Sequence, residues 1–172
     1  NKGEIAGDEN GIVVGPNSSI TNSGDIISDG KALVLKGGTV TNNSGGTIEG
    51  TTAAISSSGT ILMTVNNSGL ITSNSKTGTI EVFNKTAVIN NLQGGYMTNT
   101  QYMEGAVING ATTESLSIVN DGTIDDGGSL AGIVWAGSGT CSITNNHIIT
   151  GQNDGISIGE IGATIINNGT VR

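Results

Sequence analysis

Apolar and polar residues alternate in short stretches of this chain, and Gly, Asn, Ser or Asp separate the stretches. Each stretch has the period of two that is typical of a β-strand with one buried face. One column of apolar positions stands two residues before a recurring asparagine: Ile20, Val40, Val65, Ile89, Ile118, Ile143 and Ile165. Another column follows the asparagine by four or six residues: Ile5, Ile26, Ile48, Ile71, Met97, Ile124, Ile149 and Val171.

A further column of apolar positions lies seven or nine residues beyond the Ile5 column: Ile12, Leu33, Ile55, Ile80, Ala106, Ile133 and Ile156. Two residues later come Val14, Leu35, Ser57, Val82, Ile108, Trp135 and Ile158. Repeats of 20 to 29 residues with three strands each predict a solenoid. We therefore expect an all-β, right-handed, three-sided parallel β-helix of about seven turns that forms one segment over residues 1–172.

The recurring asparagine predicts a corner of the β-helix. An Asn side chain at a turn can bond backbone groups, or the equivalent Asn one turn away. Two of the steps are longer by two residues, in "NNSGGTI" and "NNLQGGYM", which indicates insertions in Gly-containing turns. The predicted structural corner ladder begins with Asn1 and continues through Asn22, Asn42, Asn67, Asn91, Asn120, Asn145 and Asn167.

Composition narrows the set of partners. Six Lys and Arg face fourteen Asp and Glu, so the net charge is -8, and no basic cluster is present. Nucleic acids and anionic membrane surfaces attract positive charge, so we expect this chain to bind neither. No apolar run approaches the twenty residues of a membrane-spanning helix, and we expect no direct membrane insertion by this segment.

Residues that could carry catalysis or hold a metal are sparse. The one Arg is Arg172, and the one acidic pair, Asp125 and Asp126, stands beside a Gly-Gly turn without a nearby Lys. His147 has no second His or Cys close to it in sequence, which is a poor metal site. These observations predict that the chain is not an enzyme and that it uses no cofactor and no metal.

Residues that precede the Ile5 column should face outward: Glu4, Asp25, Thr47, Leu70, Tyr96, Thr123, Ile148 and Thr170. This column is too mixed for a regular ice-binding array. It does place Leu70 and Tyr96 on adjacent turns, and we predict that these two residues and Tyr102 form a contact face.

The segments "TNSGDI", "NNSGGTIEG", "NNSGLI", "VNDGTI" and "NNGTV" resemble the NSGTIxG-type repeats of autotransporter passenger domains of Gram-negative bacteria. The resemblance implies an internal segment of a longer passenger domain at the cell surface, anchored by a C-terminal β-barrel in the outer membrane. Many such passengers are adhesins or self-associating proteins, and the family has no shared catalytic motif.

The expected function is therefore adhesion or self-association, as in aggregation and biofilm formation, through the side of a β-helical rod. The expected partner is a protein, either another copy or a host surface ligand, in preference to a glycan. Two alternatives remain open, a passive stalk and a polysaccharide-degrading β-helix enzyme. A uniform rod would favour the stalk, whereas residues 67–120 concentrate three of the four aromatic residues together with Lys76 and Lys85.

Overall fold

The computed structural model describes residues 1–102, 104–128, 130–159 and 162–172. Within these ranges the regular elements are β-strands, and there is no α-helix. The strands are β1 (Glu4–Gly7), β2 (Asn10–Val13), β3 (Ser18–Asn22), β4 (Asp25–Ser28), β5 (Lys31–Leu35), β6 (Gly38–Asn42), β7 (Thr47–Gly50), β8 (Ala53–Gly59), β9 (Met63–Asn67), β10 (Leu70–Ser73), β11 (Ile80–Asn84), β12 (Thr86–Asn91), β13 (Tyr96–Asn99), β14 (Ala106–Asn109), β15 (Ser115–Asn120), β16 (Thr123–Asp126), β17 (Ala131–Trp135), β18 (Thr140–Asn145), β19 (Ile148–Thr150), β20 (Asp154–Ile158), β21 (Ala163–Asn167) and β22 (Thr170–Val171).

Every strand pairs in parallel with the strands three places before and after it in the chain, which produces three sheets. Sheet A has the order β1-β4-β7-β10-β13-β16-β19-β22, sheet B the order β2-β5-β8-β11-β14-β17-β20, and sheet C the order β3-β6-β9-β12-β15-β18-β21. Successive strands therefore belong to sheets A, B and C in turn, and each turn of the chain adds one strand to every sheet. This arrangement is a β-solenoid of about seven turns, and it confirms the predicted fold class.

Stacked aliphatic side chains fill the interior. Sheet A aligns the whole Ile5 column in register, and sheet C does the same for the Ile20 column. Residues of the inner turns, such as Ile48, Ile71 and Ile89, are fully buried. Each such side chain contributes about 1.5–3 kcal/mol on burial, which stabilises a chain that contains few aromatic residues.

Sheet B departs from the predicted register at one turn. Ile80 pairs with Ile108, whereas Ala106, which we had placed opposite Ile80, pairs with Ala131. The loop between β13 and β14 is two residues longer than the predicted offset. The prediction for Ala106 and Ile108 was therefore wrong, because Ile108 and not Ala106 occupies the column of Ile80 and Ile133. Gly110 then faces the buried indole ring of Trp135, and a Cβ at this position would lie only 2.8 Å from Cδ2 of Leu116.

The recurring asparagine marks the corner at which sheet C turns into sheet A. Nδ2 of each ladder residue donates a hydrogen bond to Oδ1 of the next, at 2.8–3.0 Å, without interruption from Asn1 to Asn167. Nδ2 also donates to the carbonyl of the corner glycine, for example from Asn67 to Gly69 at 3.0 Å. The ladder residues between the two end turns are almost completely buried, so these bonds satisfy amides that have no access to water.

Corner glycines are required because successive corners lie in close contact. A Cβ on Gly69 would lie 2.3 Å from the carbonyl oxygen of Gly46 in the preceding turn. His147 is the exception, because it occupies the glycine position of its turn. The bond from Ile148 N to Gly122 O is accordingly long, at 3.5 Å, whereas the equivalent bond from Leu70 N to Gly46 O measures 2.9 Å.

We expect the substitution Gly69→Ala to lower the free energy of unfolding by about 1–3 kcal/mol, because the new methyl group forces two turns apart and weakens their hydrogen bonds. Gly3→Ala is the matched control, since it changes the same corner position at the first turn, where no atom lies within 4 Å of the new Cβ. Urea unfolding of both variants measures the difference. Equal stability of the two variants would contradict the close stacking of the corners.

Candidate functional site

The outer face of sheet A carries the predicted pair of apolar residues on neighbouring strands. Leu70 and Tyr96 are in register as Cα partners, and Tyr96 is 37% exposed while Leu70 is partly buried. The Tyr96 hydroxyl donates a hydrogen bond to Oδ2 of Asp125 at 2.6 Å. Partial burial, together with this bond to the carboxylate, raises the pKa of Tyr96 to about 12, so the hydroxyl remains a hydrogen-bond donor to Asp125 even at alkaline pH.

Two protruding turns flank this pair. In the segments 43–46 and 92–95, the amide of the last residue donates to the carbonyl of the first, at 2.9 and 2.8 Å. Gly45 and Gly94 stand third in these turns with φ values of 80° and 82°, which is the type II β-turn geometry that favours glycine. The insertions recognised in the sequence therefore form two ridges. Between them lies the shorter corner of the intervening turn, at Ser68 and Gly69.

The ridges and the short corner enclose a groove of about 300 Å³, which we call the notch. It is lined by Ser44, Gly45, Gly46, Thr47, Ser68, Gly69, Leu70, Gly94 and Tyr96. The ridges are two turns apart, so their separation is about 9.6 Å at the usual strand spacing. This width admits one side chain or one extended segment. The walls offer glycine backbone and hydroxyl groups, and Leu70 and Tyr96 supply the apolar surface.

Tyr102, the third residue of the predicted contact face, does not line the notch. It lies in the loop after β13, beside Gly128 of the next turn, and it is 68% exposed. Sequence alternation cannot place a loop residue on a face, because alternation applies only within strands. The structure thus brings Leu70 and Tyr96 together and leaves Tyr102 outside the notch.

The acidic pair is engaged in structural hydrogen bonds. Asp125 accepts bonds from the hydroxyls of Tyr96 and Thr150, and Oδ2 of Asp126 accepts a bond from the backbone N of Gln152 at 2.8 Å. Burial raises the pKa of the Cys141 thiol to about 11, so little of the reactive thiolate exists near neutral pH. The Cys141 thiol therefore lacks the surroundings of an activated nucleophile.

Two polar clusters were missed by sequence reasoning. Lys31 and Glu81 form an ion pair of 2.9 Å, although 50 residues separate them, and the Glu81 carboxylate is nearly buried and also accepts a bond from Thr77. Asn99 is fully buried and bonds Ser75 through both its oxygen and its nitrogen. These contacts hold the 74–79 loop against the rod. The only sequence signal was the unusual length of the segment between β10 and β11.

A second surface cavity of about 490 Å³ lies beside this loop. Its lining consists of Thr51, Thr52, Asn74, Ser75, Lys76, Thr77 and Gln101. Lys76 pairs with Glu104 at 3.1 Å, and both side chains are largely exposed. The side chains that line this cavity are all polar or charged, although most of the surface that they expose to it is apolar.

Among the described residues, no group of three or more His, Cys, Asp or Glu side chains could hold a metal ion. The same ranges contain no helix of the length and apolar character that crossing a membrane demands. Comparisons of the chain with protein-family models, curated proteins and solved structures gave no match.

Proposed function

We propose that this chain is an adhesive segment of a cell-surface β-helical rod and that it binds a protein ligand through the notch. The observation that carries the proposal is a pair of ridges that interrupt an otherwise regular corner, with Leu70 on the turn between them and Tyr96 directly after the second ridge. A stalk needs only uniform turns. The insertions that build the ridges add nothing to the stacked core, and their glycine tips face open space.

The chemistry of the notch suits an apolar anchor from a protein partner. A ligand side chain that enters between the ridges would contact the Tyr96 ring and Leu70, and aromatic anchors in a confined pocket supply much of the energy of protein interfaces. Backbone groups and Ser hydroxyls at the rim can bond the peptide groups that flank the anchor. The Tyr96–Asp125 bond fixes the ring beforehand, which lowers the entropy lost on binding.

The cell-surface location belongs to the same proposal and rests on the resemblance of the repeats to those of autotransporter passengers. A stacked β-solenoid is compatible with such a passenger. The alternative of a passive stalk remains the second candidate. It is favoured by the regular turns outside the central part of the rod.

The test is adherence of beads that carry the purified chain to cultured epithelial cells. We expect the double variant Leu70→Ser, Tyr96→Ser to reduce adherence at least about tenfold, because each anchor contributes more than about 1 kcal/mol at a protein interface. Ile148→Ser is the matched control, since it removes a partly buried apolar residue from the same outward column away from the notch. Equal adherence of wild type, double variant and control would contradict binding through the notch and would favour the passive stalk.

A further inference from the structure

Charged residues are distributed unevenly over the three sheets. The strands of sheet B contain Lys31, Glu81 and Asp154. Those of sheet A contain five acidic residues: Glu4, Asp25, Glu49, Asp125 and Asp126. The seven strands of sheet C contain no charged residue at all, although the net charge of the chain is -8. One side of the rod is thus electrically neutral along its described length.

The outward residues of sheet C are short and form two columns in register. The first column is Ser19, Thr39, Thr64, Val88, Ser117, Ser142 and Thr164. The second is Thr21, Thr41, Asn66, Asn90, Val119, Thr144 and Ile166. Hydroxyl, amide and methyl groups therefore alternate over a surface from which no long side chain projects.

We propose that the outer face of sheet C is the surface through which two copies of this chain pair face to face. Two rods of equal negative charge repel one another, and contact through sheet A would bring carboxylates together. Contact through sheet C keeps the acidic residues of sheets A and B away from the partner. The cores of protein interfaces are depleted in charged residues in the same way. This inference goes beyond the adhesive notch, which lies on the side of sheet A.

The neutral face is also suited to losing its water. Part of its polar groups already bond one another along the face, as Nδ2 of Asn90 does with Oδ1 of Asn66 at 2.9 Å. Where the chain enters β12 and β15, Lys85 and Glu114 form an ion pair of 3.3 Å and neutralise each other, and Asp121, which directly follows β15, accepts a hydrogen bond from Asn146. Neutral hydroxyl and amide groups are far less costly to bury than carboxylates. In-register columns of short side chains can interdigitate closely with those of a second sheet.

The size of the face sets the expected affinity. Seven strands at the usual spacing cover about 29 Å, and five residues along each strand cover about 16 Å. The two copies would then bury roughly 900 Å² together, which is near the lower limit for specific protein interfaces. The pairing of isolated chains should therefore be weak and reversible. Many copies on two apposed surfaces would add their contacts and hold more firmly.

The experiment is sedimentation equilibrium of the purified chain over a range of concentrations, at about 50 mM and about 500 mM NaCl, which changes the screening length from roughly 14 Å to roughly 4 Å. We expect a monomer–dimer equilibrium that is stronger at high salt, because salt screens the repulsion between the negative rods. Val88→Glu and Val88→Lys, on the central strand of sheet C, should each weaken dimerisation at least about tenfold. Thr72→Glu, on the outer face of sheet A, is the control and should leave it nearly unchanged.

Comparing Val88→Glu with Val88→Lys distinguishes a contact at position 88 from an effect of net charge. If only the repulsion between negative rods mattered, Val88→Lys would reduce that repulsion and dimerise more strongly than the wild-type chain. Circular dichroism and thermal melting verify that each variant is folded. The proposal is overturned if the wild-type chain stays monomeric up to about 1 mM, a concentration at which contacts of about 4 kcal/mol become visible. It is equally overturned if Thr72→Glu or the Leu70→Ser, Tyr96→Ser double variant abolishes dimerisation. Loss of cell adherence in the double variant with intact dimerisation would support both proposals separately.

Discussion

The substitution Ile71→Asp should unfold the central turns of the rod. Ile71 is fully buried and stacks between Ile48 and Met97 in sheet A, so the new carboxylate would have neither water nor a positive partner. An uncompensated buried charge lowers the free energy of unfolding by at least about 3–5 kcal/mol. This is a large share of the 5–15 kcal/mol that stabilises an ordinary domain.

Thr72→Asp is the matched control, because the adjacent residue on the same strand points outward and is only partly buried. Far-UV circular dichroism and urea unfolding should show loss of β-structure or of cooperativity for Ile71→Asp and a near wild-type transition for Thr72→Asp. If both variants unfolded at the same urea concentration, the inward position of the Ile5 column would be refuted.

The second large effect is expected from Asn91→Ala in the corner ladder. The Asn91 side chain accepts a bond from Asn67 and donates to Asn120 and to the carbonyl of Thr123, at 2.8–3.0 Å. Removing it leaves several buried polar groups without a partner, each of which costs about 1–3 kcal/mol. We expect a loss of about 2–4 kcal/mol in the free energy of unfolding.

Asn90→Ala is the control for this variant. Asn90 is the preceding residue, yet it faces outward and its Nδ2 makes one bond, to Asn66. Its substitution should change stability by less than about 1 kcal/mol. Thermal unfolding of the two variants under identical conditions measures the contrast. Similar melting temperatures would mean that the ladder bonds contribute no more than ordinary surface hydrogen bonds.

Much of the fold could be predicted because two simple regularities act together. Strand alternation identifies inward positions, and stacking places equivalent residues of successive turns in contact, so the Ile5 and Ile20 columns emerged from spacing alone. The spacing of Asn91 and Met97 likewise indicates an insertion in a turn. Such local features depend on residues close in sequence, where length and residue type determine the geometry.

Other features depend on loop lengths and on contacts between distant residues. The shift at Ala106 arises in a loop, where the number of residues does not determine the distance covered. The pair of Lys31 and Glu81 requires knowledge of which turn faces which loop. The notch could be anticipated only in part: Leu70 and Tyr96 line it, whereas Tyr102 stands in a loop outside it. The absence of charge from sheet C was visible in the sequence but acquires meaning only when its seven strands form one surface.

The corner ladder also gives the rod an electrical direction. Every ladder amide from Asn1 to Asn145 points its Nδ2 towards the following turn, so the side-chain dipoles add along the rod, whereas the β-sheets contribute only small net dipoles. A peptide-like amide carries about 3.5 D, and aligned amides sum head to tail. Parallel dipoles side by side repel and antiparallel ones attract. Two rods joined through sheet C should therefore lie antiparallel, with a two-fold axis at the central strand β12.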